Sequence, residues 1–130
     1  MIPIQCSSPS RAQTRILILS EDSDLVHLLS GDVARLGLQA EQGTISCMRA
    51  GMLNATTYNG IIIDLDINPS TCLGVIRDLH VCNPDIPIVV IGEKRRKYDL
   101  FFGLIGGATD FLVKPIDSVL LKRKCLRLFL

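Results

Sequence analysis

Two aspartates, Asp64 and Asp66, stand where a run of three isoleucines gives out in the stretch YNGIIIDLDINP, Tyr58 to Pro69. Carboxylates so placed offer hard oxygens to a divalent cation and a nucleophilic oxygen to an electrophile. Ile61, Ile62 and Ile63 read as a strand buried on both faces, because β-branched residues without alternation suit a sheet covered above and below. A carboxylate at the end of such a strand, beside Asn-Pro turn chemistry, lies at the carboxyl edge of the sheet, where open α/β sheets hold their ligands. Two further charged groups follow apolar runs in the same way: Glu21-Asp22 after RILIL, and Lys114 after Phe111 to Val113.

The elements that must position these groups alternate along the chain. Arg15 to Leu19 reads as a strand, followed by a helix carrying Leu25, Val26, Leu28, Leu29, Val33 and Leu36, with Asp22 or Ser23 as N-cap and Gly37 at its C-terminus. Leu38 to Ile45 is a second strand and Ser46 to Leu53 a short second helix. After the Ile61 to Leu65 strand comes a helix from about Ser70 to Val81. Ile86 to Ile91 is the fourth strand, and a basic loop leads to a helix around Tyr98 to Ile105. Phe111 to Val113 is the fifth strand, Lys114-Pro115 breaks it, and Asp117 caps a final helix. Five strands alternating with five helices, joined by right-handed crossovers, give one doubly wound α/β parallel sheet covered on both faces.

Composition sets the outer limits. At 130 residues the chain suits one domain, and 48% hydrophobic residues with only 5% aromatic make the core aliphatic. A net charge of +1 gives no global pull toward nucleic acid or an anionic membrane. The cysteines, Cys6, Cys47, Cys72, Cys82 and Cys125, are odd in number and contain no CxxC pair, which argues for a reducing compartment and against a disulfide framework or zinc site. Residues 1–14, rich in Ser, Gln and Pro, read as a flexible leader before a domain at 15–130, with no secretory signal pattern and no apolar run approaching the ~20 residues that span a bilayer. A cytoplasmic protein is expected.

Three pieces together resemble the receiver domain of bacterial response regulators: the acidic end of RILILSED, Asp64 after the third strand, and Lys114-Pro115 in GATDFLVKP. The resemblance covers roughly Arg15 to Leu130. It implies the strand order 2-1-3-4-5 and a phosphoryl group received on Asp64 from a histidine kinase or phosphotransfer protein. It also implies Mg²⁺ held by Glu21, Asp64 and the backbone carbonyl of Asp66. Lys114 would pair with Asp64 and then with the phosphoryl group, and Phe111 matches the family's aromatic switch. The chemistry is coherent, since attack on a phosphoryl group needs a cation to neutralise its oxygens and a fixed positive charge beside it. Nothing in this scheme turns over an external substrate, so the chain is read as a signalling domain and not an enzyme.

The sequence departs from the family pattern at three places. Receivers carry two adjacent acids after the first strand, where this chain has Ser20 and Glu21. Gly92 takes the place of the Ser or Thr whose hydroxyl bonds the phosphoryl group. Asp64 lies five residues before Pro69 instead of four. These changes support a rival reading, a degenerate receiver acting as a phosphorylation-independent interaction or dimerisation module. A flavin-binding domain of similar topology is disfavoured, because no phosphate-cradling loop follows the first strand.

The remaining polar residues carry plainer expectations. Asp66 reads as a solvated loop acid by its side chain, His27 and His80 as structural or exposed, and the run Lys94 to Lys97 as a solvated loop without nucleic-acid features. The fourth helix is too apolar for one-sided packing: Leu100, Phe101, Phe102, Leu104 and Ile105 cover more than one face. With Lys122 and Arg123 of the last helix, Phe101, Phe102 and Ile105 mark an expected homodimer or docking surface of helix 4, strand 5 and helix 5, the surface that receivers use. An output domain is expected in a longer chain, with no membrane contact and no direct nucleic-acid binding by this domain.

Overall fold

The computed structural model describes residues 14–49 and 57–130. The leader and Cys6 fall outside them, as does the end of the second helix. Within them lie β1 (Arg15–Leu19), α1 (Ser23–Arg35), β2 (Gln39–Gly43), α2 (Ile45–Arg49), β3 (Gly60–Asp64), α3 (Pro69–Cys82), β4 (Ile88–Glu93), a 3₁₀ turn (Lys94–Arg96), α4 (Lys97–Gly106), β5 (Asp110–Lys114) and α5 (Ser118–Leu128). The sheet is parallel throughout, in the order β2-β1-β3-β4-β5. The expected fold class and strand order are thus the ones observed.

Alternation along the strands divides the core in two. Ile16, Ile18, Ile62, Val89, Ile91 and Leu112 face α1 and α5. Leu17, Leu19, Ile61, Ile63, Ile88 and Val90 face α3 and α4. Each fully buried Ile or Leu contributes about 1.5–3 kcal/mol of hydrophobic stabilisation, so this central set is what holds the carboxyl edge rigid. β2, by contrast, is an edge strand of partly exposed polar residues, QAEQG, and is shorter than the Leu38 to Ile45 expected. Leu38 is buried, but it precedes the strand.

Helix ends follow their capping chemistry. Asp22 caps α1 by accepting the Asp24 and Leu25 amides, and Asp117 caps α5 through the Val119 and Leu120 amides. Asn68 caps α3 by accepting the Thr71 amide. Pro69 therefore opens α3 at a position where its missing N–H costs nothing, and the long Asp64–Pro69 spacing is taken up by the loop before this cap. Gly37, at φ 81°, takes the left-handed conformation just beyond α1. Gly60 has a packing reason: a Cβ there would lie 2.4 Å from the Phe129 ring, so the C-terminal aromatic closes directly over β3.

Candidate functional site

Parallel register brings the charged ends of β1, β3 and β5 to one edge. Asp64 ends β3 opposite Ile91 of β4, and Lys114 ends β5 opposite Glu93. The Asp64 side chain is only 2% exposed, and its oxygens are met by donors. Oδ1 accepts the Lys114 ammonium at 3.1 Å and the Asp66 amide at 3.1 Å. Oδ2 accepts the Ser20 hydroxyl at 2.9 Å. The Ser20 oxygen accepts the Asp22 amide in turn at 3.1 Å, so one serine links the carboxylate to the start of α1. A buried carboxylate is tolerable only with such donors around it. The pairing of Asp64 with Lys114 is the one expected.

Ser20 was read from sequence only as the loss of an acid. It is buried and is a direct partner of Asp64, which a hydroxyl can be and a carboxylate cannot. Glu21 follows it at the same edge, with an exposed side chain.

Asp66 corrects the expectation of a solvated loop acid. Its side chain is 11% exposed and turned back into the site. Oδ2 lies 2.8 Å from the Lys114 ammonium, closer than Asp64 does. The Glu93 amide donates to both carboxylate oxygens, at 3.0 and 3.1 Å. The run Lys94 to Lys97 is likewise not wholly solvated. Lys94–Arg96 form the 3₁₀ turn, and the Arg96 side chain, 24% exposed, places Nε 3.4 Å from Asp66 Oδ1. That Nε is buried and makes no hydrogen bond of good geometry. Burial works against the Lys114 ammonium, but the hydrogen bonds to Asp66 and Asp64, with their charges, outweigh it and raise its pKa above the ordinary 10.5. Cys72 Sγ approaches the Asp64 carbonyl at 3.4 Å, and burial pushes that thiol up to about 11, so it is an inert core residue.

Gly92 is buried directly beneath this network. A Cβ there would lie 3.6 Å from Asp66 Oδ1 and 3.2 Å from Leu100 Cδ2. The space a Ser or Thr side chain would use is thus bordered by the Asp66 carboxylate. Phe111 points to the outside, 37% exposed, with the Lys124 ammonium 5.8 Å from its ring centroid. Lys124 also bonds Asp110, at 2.8 Å.

The donors suit magnesium in kind, since Glu21 and Asp64 carboxylates and a main-chain carbonyl at Asp66 are hard oxygens at one sheet edge. The set is one acid poorer than the family pattern because of Ser20. Among the described residues, no three His, Cys, Asp or Glu side chains are grouped as a cation site. Across the fold, α4 leaves Phe101, Phe102 and Ile105 exposed at 56, 55 and 67%, with Tyr98 at 70%, whereas Leu100, grouped with them from the sequence, is buried and Leu104 half-buried. Lys122 and Arg123 are exposed on α5. No helix among the described residues is long and apolar enough to cross a membrane.

No family model matches the chain. Among curated proteins, the response regulator ArlR of Staphylococcus saprophyticus is 30% identical over 109 residues, covering 80% of this chain and 47% of its own. The response regulator PmrA of Pseudomonas aeruginosa is 28% identical over 108 residues, covering 79% and 47%. The chain thus spans about half the length of the curated relatives it matches. Among solved structures, a response regulator receiver domain protein from Clostridium thermocellum superposes with a TM-score of 0.78, covering 89% of this chain and 94% of that one at 14% identity, a likeness of fold alone. Fold order, the Asp64–Lys114 pair and relatives that are response regulators converge: this chain fits a response-regulator receiver domain.

Proposed function

We propose that Asp64 accepts a phosphoryl group from a histidine kinase or phosphotransfer protein and that the domain passes this event to the surface formed by α4, β5 and α5. The observation that carries the reading is the buried Asp64 carboxylate with the Lys114 ammonium 3.1 Å from its Oδ1. Ser20 fixes the carboxylate by holding Oδ2, and Lys114 supplies the fixed positive charge that a transferred phosphoryl group needs. As the Asp64 oxygen bonds to phosphorus, the donor's bond to phosphorus breaks and its electron pair leaves with the donor. Glu21, Asp64 and the Asp66 main-chain carbonyl would hold the magnesium ion that receiver domains generally use, whose charge neutralises phosphoryl oxygens.

Receiver domains are generally signalling modules without substrate turnover, and a cytoplasmic location with an output domain elsewhere in a longer chain belongs to the same reading. The test is incubation with Mg²⁺ and acetyl phosphate. The expected result is a mass gain of one phosphoryl group, lost in Asp64→Asn; no gain at millimolar Mg²⁺ sinks the reading.

The rival reading, a phosphorylation-independent interaction module, is favoured by Gly92, which offers no hydroxyl to a phosphoryl group. Both readings use the apolar face of α4 for self-association. Phe101→Asp should shift the domain toward monomer in sedimentation at high concentration while leaving its stability within about 0.5 kcal/mol, the usual range for exposed sites. A wild-type domain already monomeric at that concentration contradicts the surface assignment.

A further inference from the structure

We infer that the Asp66 side chain is a tethered occupant of the phosphoryl-oxygen position and restrains transfer to Asp64. The inference rests on the phosphoacceptor reading for its consequence, but its geometry stands apart from that reading. A phosphoryl group bonded to Asp64 projects outward from the strand end and must find donors for its three free oxygens. The donors in reach on the β4 and β5 side are the Lys114 ammonium, the Glu93 amide and the Arg96 guanidinium. The Asp66 carboxylate takes the first at 2.8 Å and the second with both oxygens, and it lies 3.4 Å from the third. One side chain thus collects the set of groups that an incoming anion would need.

Charge points the same way. Asp64 and Asp66 face Lys114 and Arg96, and Arg96 is already shared with Asp99, whose Oδ2 lies 3.8 Å from its Nη1. Converting the Asp64 carboxylate to a phosphoryl adduct raises its charge from −1 to about −2 near neutral pH. With Asp66 in place, the Asp64 adduct and the Asp66 carboxylate compete for one lysine, Lys114. With Asp66 displaced outward, Lys114, Glu93 N–H and Arg96 become available together. Gly92 borders the occupied position: an added Cβ would lie in ordinary contact with Asp66 Oδ1, at 3.6 Å, and closer to Leu100 Cδ2, at 3.2 Å. Asp66 is therefore a positioning residue, acting on the phosphoryl site by holding its donors.

The test uses the 130-residue chain and beryllium fluoride with Mg²⁺ as the probe, with binding followed by NMR in wild type, Asp66→Ala and Asp66→Asn. The expected result is at least tenfold tighter binding in both variants, abolished in each by adding Asp64→Asn. Equal affinity in wild type and both variants overturns the inference. Hydrogen exchange at the Glu93 amide reads the occupancy without any phosphoryl chemistry. It should be at least tenfold faster in Asp66→Ala, while the Leu65 amide, bonded to the Ile91 carbonyl, stays unchanged. Unchanged exchange at Glu93 also overturns the inference. If neither wild type nor variants bind the probe, the phosphoacceptor reading fails, and the Glu93 exchange alone decides whether Asp66 holds that amide. The Asn variant keeps the shape of the loop, so it serves should the Ala variant fold poorly.

Discussion

The carboxyl edge of the sheet and the outer face of α4, β5 and α5 lie at opposite ends of one physical scale. At the edge, two carboxylates and two cations share a pocket only 2–24% exposed, and nearly every polar atom has a partner. On the outer face, Tyr98, Phe101, Phe102 and Ile105 stand more than half exposed. The edge is internally saturated, so it resists change until something displaces one of its members. The face is unsaturated in apolar contact, so it can gain a partner at little cost to itself. Lys114 and Phe111, three residues apart on β5, join the two regions. A change in what Lys114 holds has a short mechanical path to the face.

Breaking the edge is the sharpest way to test that contrast. Lys114→Met removes the cation shared by Asp64 and Asp66 and leaves the two carboxylates facing each other with only Arg96 to balance them. Loss of one partner of a buried ion pair costs about 3–5 kcal/mol, and partial exposure of Lys114 reduces this to roughly 2–4 kcal/mol. Denaturant unfolding should show that loss, together with recovery in the double variant Lys114→Met, Asp66→Asn. A loss under about 1 kcal/mol would mean that the edge is far wetter than its geometry suggests.

Ser20→Ala probes the same edge from the side of α1. It strips Asp64 Oδ2 of the Ser20 hydroxyl and the Asp22 amide of its acceptor. An unsatisfied buried group costs about 1–3 kcal/mol, which should appear as a lower unfolding midpoint with an unchanged slope. Ser20→Asp sharpens the comparison further. It places two acids side by side, lowering stability without a cation and regaining it in millimolar Mg²⁺, a linkage the wild type should show more weakly.

These two substitutions also separate what was legible in the sequence from what was not. The apolar runs 15–19, 61–63 and 86–91 announced the sheet because burial on both faces leaves no alternation to confuse, although the fourth strand begins only at Ile88 and runs on to Glu93. Asp22 and Asp117 announced their helices because capping is local chemistry. The Asp64–Lys114 pair was legible through the motif. The inward turn of Asp66 was not, since it depends on an amide at Glu93 and a lysine 48 residues away. The same holds for Arg96, whose basic neighbours Lys94 and Lys97 are exposed. Ser20 was misjudged for a different reason. Its role was weighed by the charge it lacks, although a buried carboxylate at Asp64 required a donor. β2 was overextended because Leu38 packs under α1 without entering the strand.

The smallest effect belongs to the face. Asp110 opens β5 and binds Lys124 at 2.8 Å, with Arg127 alongside, and Lys124 in turn lies over Phe111. Burial alone would raise the Asp110 carboxyl. Hydrogen bonds from Lys124 and the Phe111 amide, with the charges of Lys124 and Arg127, more than offset it and hold the pKa below the ordinary 3.8. A carboxyl depressed in the folded state contributes stability that is present above pH 3.8 and lost as pH falls through the folded value. Wild type should therefore lose stability across that acid window by an amount that Asp110→Asn does not, with a difference under about 1 kcal/mol, since Arg127 is largely exposed. Fluorescence-detected unfolding at pH 5 and pH 3 measures it. If Asp110→Asn instead loses several kcal/mol at pH 7, the face is as tightly wired as the edge, and β5 joins two saturated regions in place of one saturated and one open.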